Sequence, residues 1–279
     1  MIIIAAIAYD PAPDLPAIVD KYGPDMSEAL TTMYNGGKPP VYEYATKAQL
    51  MIELSLRDNA IDEMHKANAN EDNIRYATRR GDPPNGRLDP TYWDKVGFYQ
   101  FLLETLAVPA PAVRSIFEGQ DNVLECNSAM VAVEYSSMLD TMGNDAFDER
   151  VADGSLIISP YHLPPRGVRV HPLFEEGMIE TVEITGAKDL IPGDWVYFRN
   201  IGDYLTKHPN GFWSGEHTLY LGNGKFQGFG TRVLTEAQLL NKLLDNYNAG
   251  LPAAQKKEIG DVPGLQHYAH RPVVENIVK

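Results

Sequence analysis

The chain has 279 residues, with 38 acidic against 24 basic side chains and a formal net charge of −14. At that length one large domain is expected, since a single core grows to roughly 250–300 residues before splitting. The 44% apolar and 22% charged composition excludes a disordered or fibrous chain, and the negative surplus argues against nucleic acid and anionic membranes as partners. One cysteine, Cys126, excludes a disulfide framework and any four-cysteine zinc or iron–sulfur site.

The apolar start, residues 1–8, lacks the cationic lead of a signal peptide and falls short of the roughly 20 residues of a spanning helix. It reads as a short buried strand or core-docked terminus. No other stretch would cross a bilayer, so a soluble chain, cytoplasmic at synthesis and without Sec-type export, is expected. Residues 10–40, rich in Pro and carrying Gly36–Gly37, read as irregular. A helix is predicted from about Thr46 to Met64, where Thr46 and Gln49 have capping-box spacing. Residues 68–89 read as a loop, residues 98–106 as a short helix, and residues 111–117 as one more helical turn.

From Cys126 to Met142 there is no Gly or Pro, and apolar residues fall on most faces, the mark of a central buried helix. Gly143–Asn144 should end it. Residues 153–189 read as an elaborated connection with β-prone runs at 168–170 and 181–184. Pro192-Gly193-Asp194 is a turn launching a strand over Trp195–Phe198. The hairpin that follows joins residues 216–222 and 225–231 through Asn223–Gly224, a type I′ pair. Thr235 and Gln238 open a last predicted helix, and the final 30 or so residues read as less regular, packing back on the body. The seven histidines show no helical HxxxH spacing and most lie in predicted loops, so no metal site is expected.

A thiol at a helix N-terminus is chemically distinctive, because the positive pole there favours a thiolate. The same cysteine beside Met and Val also reads as a small core hydrophobe. A strict two-residue turn pairs Gly222 with Lys225, Tyr220 with Gln227, Thr218 with Phe229 and Glu216 with Thr231. Alternation then puts Glu216 and Phe229 on one face and His217 on the other, unless a bulge intervenes. Glu216 reads equally as a solvated strand-end carboxylate. A helix-N-terminal Cys followed by a hairpin with a polar residue at its start resembles the arrangement of papain-like enzymes, in which that residue is the general base. The fold class expected is therefore α+β, with a central helix carrying Cys126 packed on a mostly antiparallel sheet.

Leu124-Glu125-Cys126-Asn127-Ser128-Ala129-Met130-Val131, Pro192-Gly193-Asp194-Trp195-Val196-Tyr197-Phe198, Trp213-Ser214-Gly215-Glu216 and Leu221-Gly222-Asn223-Gly224-Lys225-Phe226 resemble the bacterial spore-coat type protein-glutamine γ-glutamyltransferases, compact calcium-independent transglutaminases. The resemblance implies acyl transfer from a glutamine carboxamide, through a Cys126 thioester, to a lysine amine, forming an isopeptide crosslink. It implies that Glu125 and Glu216 can each pair with the thiol and that Trp213 lines a substrate tunnel, with Phe212 and Phe229 as further wall candidates. Protein substrates presenting glutamine and lysine are the expected partners, and no cofactor is implied. The family's histidine is replaced here by Phe229, and residues 153–189 depart from its shorter segment. His217 is a weaker substitute because it should face away. A glutamine deamidase or cysteine hydrolase of the same fold, or a catalytically impaired structural relative, stays open, as does location in a spore coat or delivery as an effector. One transglutaminase-like domain is expected, with a helical layer over 1–110, a catalytic core over 120–235 and a packing segment over 236–279.

Overall fold

The computed structural model describes residues 15–34, 44, 46–77, 82–83, 85–151 and 156–279, so the apolar start at 1–8 lies outside the described residues. Helix α1 (Leu15–Tyr34), kinked at Gly23, occupies a stretch that composition marks as irregular. Burial of Ile18, Met26, Leu30 and Met33 along one side outweighs the weak local propensity. Helix α2 (Lys47–Ala69) starts where predicted, with the Thr46 hydroxyl accepting from the Gln49 amide at 3.3 Å. The expected loop after it contains a short strand, β1 (Ile74–Tyr76).

The helix expected over 98–106 is instead a hairpin, β2 (Trp93–Gly97) and β3 (Gln100–Leu103). Tyr99, at φ +49°, forms the turn, and its N–H donates to the Asn85 carbonyl at 3.1 Å. Aromatic and branched side chains suit a pleated surface, and a helical pattern over so short a run cannot be told from a strand. Helix α3 (Pro109–Glu118) and strand β4 (Asn122–Leu124) lead into helix α4 (Cys126–Met142), which begins on the cysteine and is buried on every side from Cys126 to Leu139. Helix α5 (Asn144–Arg150) follows Gly143.

Within the connection lie β5 (Ile157–Ile158), α6 (Pro172–Glu175) and β6 (Ile179–Glu183), while residues 168–170 form no strand. Strand β7 (Trp195–Arg199), helix α7 (Tyr204–Lys207), the hairpin β8 (Gly215–Gly222) and β9 (Lys225–Gly228), and β10 (Leu234–Thr235) follow. Helix α8 (Glu236–Asn248) carries the complete capping box at Thr235 and Gln238. The tail, read as irregular, supplies β11 (Gly264–Pro272) and the short α9 (Val274–Ile277). Strand β11 inserts between β7 and β6, so the sheet runs β10-β9-β8-β7-β11-β6 and is antiparallel throughout. Its partners are distant in sequence, which is why no local pattern reveals it.

Side-chain alternation divides the interior in two. Trp195, Leu219 and Leu221 face α4 and α2, whereas Val196, Phe198, Tyr220 and Phe226 face Leu239 and Leu243 of α8. Between α2 and the sheet lies a buried charge network. Asp194 accepts from Arg57 Nη1 (2.9 Å), Arg271 Nε (2.8 Å), Arg271 Nη2 (2.7 Å) and the Ile191 amide (2.9 Å), while Arg57 Nε also donates to Glu53 Oε1 at 2.7 Å. Gly193 makes the close approach possible: it sits at φ +86°, and a Cβ there would stand 2.7 Å from that of Arg57.

Glu134 of α4 faces the same network, and burial lifts its carboxyl to about 8, with Arg57 opposing and Asp194 adding to the rise. An unfolded carboxyl ionises near 4.5, so the folded state holds this proton more tightly, and stability is lost as pH rises from about 4.5 through 8. Glu134→Gln is expected to gain stability over the wild type by on the order of 3 kcal/mol between pH 5 and pH 8. Urea midpoints at the two pH values check this, because any pH-independent effect of the amide cancels; equal gains at both would reject it.

Candidate active site

Strand β4 pairs in parallel with β1, with Tyr76 opposite Leu124, which sets Tyr76 beside the residue that opens α4. Glu125 is the N-cap of that helix. Its Oε2 accepts from the Asn127 amide at 2.8 Å and its Oε1 from the Ser128 amide at 2.5 Å. The expectation of a lowered thiol pKa is therefore overturned. Burial pushes the Cys126 thiol well up, the charges of Glu216 and Glu125 push it further, and only the hydrogen bond from the His217 backbone amide pulls it down. The positive end of the helix is already answered by a carboxylate, so it offers little to a thiolate. The thiol itself contacts Glu125 Oε2, with Sγ at 3.7 Å.

Glu216 lies in β8 opposite Phe198 of β7. It is not a solvated strand end: only 3% of it is exposed, and Oε1 is buried with no hydrogen-bond partner. Gly228 makes room for it, since a Cβ there would come within 2.3 Å of Oε1. Burial raises its carboxyl to about 8, with Lys242 pulling down and Glu125 pushing up. Glu216 thus reaches Cys126 through space, as a charge in the same dry region, while Glu125 supplies the direct contact.

The hairpin register differs from the strict two-residue reading. Gly222 pairs with Lys225 as expected, but a bulge at Leu221 then sets Tyr220 opposite Phe226, Leu219 opposite Gln227 and Thr218 opposite Gly228. One inserted residue moves the far strand to the opposite face. Phe229 therefore leaves the Glu216 face. It packs in the core with Leu219 and Leu221, its ring 6.1 Å from that of Tyr76. His217 does face away from Glu216, beneath α4. Its Nδ1 accepts from Trp195 Nε1 at 3.0 Å, and its Nε2 lies 2.9 Å from Asn127 Nδ2. Burial lowers its pKa well below the usual value, so it stays neutral and held by its partners.

Of the other wall candidates, Phe212 is half-exposed and meets the edge of Tyr76 at 6.1 Å. Trp213 packs against the α8 side of the sheet, where the Lys242 ammonium lies 4.5 Å from its ring centroid. Residues that sequence reasoning missed complete the surroundings. Tyr76, Tyr99 and Tyr197 all have raised hydroxyl pKa values, chiefly from burial, and each feels a charge of the site: Cys126 and Glu216 at Tyr76 and Tyr197, Glu125 at Tyr99. A β-prone Ile-Arg-Tyr run was the available signal for Tyr76, but nothing local says that it pairs with β4. Asn127 is a second miss. Its Oδ1 accepts from the Tyr161 amide at 2.9 Å, tying the connection to the first turn of α4.

Beyond Tyr76 and Phe229 a cavity of about 300 Å³ opens between the end of α2 and the β9–β10 connection, lined by Ile74, Gln227 and Arg232 among others. Among the described residues no group of three or more His, Cys, Asp or Glu is placed to hold a metal ion, and no helix is long and apolar enough to cross a membrane.

The chain is 28% identical over 234 residues to a protein-glutamine gamma-glutamyltransferase of Bacillus cereus (strain G9842), covering 82% of this chain and 75% of that protein. A protein of the same name from Bacillus anthracis (strain CDC 684 / NRRL 3495) is 27% identical over the same shares. In fold it is similar to the solved transglutaminase from Geobacillus stearothermophilus (without C-terminal extension), with a TM-score of 0.64 at 22% identity, covering 84% of this chain and 97% of that one. The family model for protein-glutamine gamma-glutamyltransferase matches residues 8–257, nearly the whole length, and the chain belongs to that family of acyltransferases.

Proposed function

We propose that Cys126 is the nucleophile and Glu216 the proton carrier of the crosslinking reaction, with protein-bound glutamine and lysine as substrates. The Cys126 sulfur attacks the glutamine Cδ as its proton passes to Glu216. The same proton then leaves with the amide nitrogen as ammonia, and a thioester remains. A lysine Nζ attacks that carbonyl and gives up a proton through Glu216, which returns it to the departing sulfur. The products are an isopeptide bond and a free thiol. The backbone N–H of Cys126, at the first helical position, is the candidate donor to the oxyanion.

The observation that carries this reading is the buried Glu216 carboxyl with an unpartnered oxygen and a pKa near 8, in the same dry region as the thiol. Unperturbed carboxyl and thiol pKa values near 4.3 and 8.5 leave proton transfer about 5.7 kcal/mol uphill. Burial lifts Glu216 toward the thiol's range, although the rise at Cys126 gives part of that gain back. Transfer concerted with attack on the carbonyl avoids a free thiolate. Glu125 is proposed to hold the first turn of α4 in place and to contact the thiol. Tyr76, Phe212, Phe229 and Trp213 are proposed as walls that exclude water and so favour an amine as acceptor.

The test is kcat/KM for a glutamine peptide against pH with a saturating fluorescent amine, because in a ping-pong reaction this ratio reports only steps up to ammonia release. Glu216 works as a base only when ionised. The ratio is therefore expected to rise with pH about tenfold per unit and to level off above about 8. Glu216→Gln is expected to lower it by roughly 10²- to 10⁴-fold. A flat profile from pH 6 to 9, or full activity in the variant, would reject the assignment.

A further inference from the structure

On the α8 side of the sheet, one cation stands where the proposed chemistry needs control. Helix α8 docks there through Leu239 and Leu243, and Lys242, three residues after Leu239, lies on the flank of that buried stripe. Its ammonium sits over the indole of Trp213 at 4.5 Å from the ring centroid, within cation–π range. The backbone of Trp213 is fixed on both sides: its N–H donates to the Tyr204 hydroxyl at 3.2 Å and its carbonyl accepts from Asn200 Nδ2 at 2.7 Å. The indole packs against the apolar cluster on this side of the sheet, with the Lys242 ammonium over its ring.

Three residues on from Trp213, the chain turns Glu216 into the same side of the sheet. The groups acting on or feeling that carboxyl come from each surrounding element: Glu125 and the Cys126 thiol from α4, Tyr76 from β1, Tyr197 from β7 and Lys242 from α8. Lys242 is the cation of the set. Among the described residues it forms no ion pair, so its charge is not spent on another carboxylate. We infer that Lys242 is a positioning residue for the acyl transfer, pinning the Trp213 indole and facing the Glu216 carboxyl with the same ammonium.

This inference rests on the reading of Glu216 as the proton carrier, and two independent readouts separate them. In protein labelled with δ-¹³C glutamate, the Glu216 carboxyl is followed by NMR, its resonance assigned by its loss in Glu216→Gln. Lys242→Met is expected to raise the ionisation midpoint by at least ~0.5 unit, about threefold in the proton equilibrium, whereas Lys242→Arg leaves it in place. The rising limb of the pH–rate profile is expected to move with it. KM for the glutamine peptide rises severalfold in Lys242→Met as the indole loosens, and kcat above the new midpoint holds. A merely structural lysine would lower stability and move neither the midpoint nor the limb. Because Lys242 is only partly buried, on the flank of α8, both variants are expected to fold, as thermal melts will show. An unchanged midpoint in Lys242→Met would overturn the inference. A midpoint that moves while the rate limb stays would leave the Lys242–Glu216 coupling standing and overturn the role of Glu216 instead.

Discussion

Cys126→Ala is expected to abolish incorporation of a fluorescent amine into a glutamine peptide, by roughly 10³-fold or more, with the fold intact. The size follows from the proposed chemistry: without the sulfur there is no thioester, and no neighbouring side chain offers an equivalent nucleophile. The fold should survive because the helix start depends on Glu125, whose carboxylate caps the Asn127 and Ser128 amides, rather than on the thiol. Alanine is also a better helix former than cysteine, and only a small side chain is lost. Mass spectrometry gives a second check: wild-type protein with glutamine peptide and no amine should gain the peptide mass less ammonia, and the variant should gain nothing. Amine incorporation by Cys126→Ala above one part in a hundred of the wild-type rate would place the nucleophile elsewhere.

Asp194→Ala is expected to destabilise the protein by about 3–5 kcal/mol, enough to unfold many domains of marginal stability. The carboxylate takes hydrogen bonds from two guanidinium groups, Arg57 and Arg271, and its own side chain is fully buried. Removing it leaves two cations near each other away from water, with Glu53 still paired to Arg57 among the described residues. Burial has already raised the Glu53 pKa against the pull of Arg57, so that carboxyl is a weak counterion for two charges. The loss should appear as a lower urea midpoint and as poor expression at 37 °C. Asp194→Asn keeps the shape and one acceptor oxygen, and is expected to recover part of the stability. Midpoints within about 1 kcal/mol of wild type for Asp194→Ala would show that the network relaxes around water and contributes little.

Phe229 shows where the reach of local reasoning ended. Its identity is plain in the sequence, and so is the absence of the family histidine. Its position was not, because the bulge at Leu221 is written neither in the Asn-Gly turn nor in the alternation on either side of it. Had the hairpin been regular, Phe229 would have covered Glu216. As built, the backbone of Gly228 lies there instead, and the carboxyl is dried by strand packing rather than by a phenyl ring. A reversion Phe229→His would therefore bring an imidazole into the core beside Tyr76, not directly onto the carboxyl.

What the sequence determined by itself is the local part of the site. The run from Cys126 to Met142 is helical and buried because it is apolar on most faces and free of Gly and Pro. Its start is set by the glutamate before the cysteine, and the hairpin by Asn223–Gly224. These features depend on neighbours a few residues away. The tertiary structure decided whatever depends on partners far along the chain: the pairing of β1 with β4 that sets Tyr76 beside the cysteine helix, the insertion of β11 into the sheet, and the α8 packing that carries Lys242 to Trp213. It also reversed the expected electrostatics of the thiol. A helix N-terminus favours a thiolate only where its positive pole is left unanswered, and here a capping carboxylate, a second buried carboxyl and exclusion of water all favour the neutral thiol.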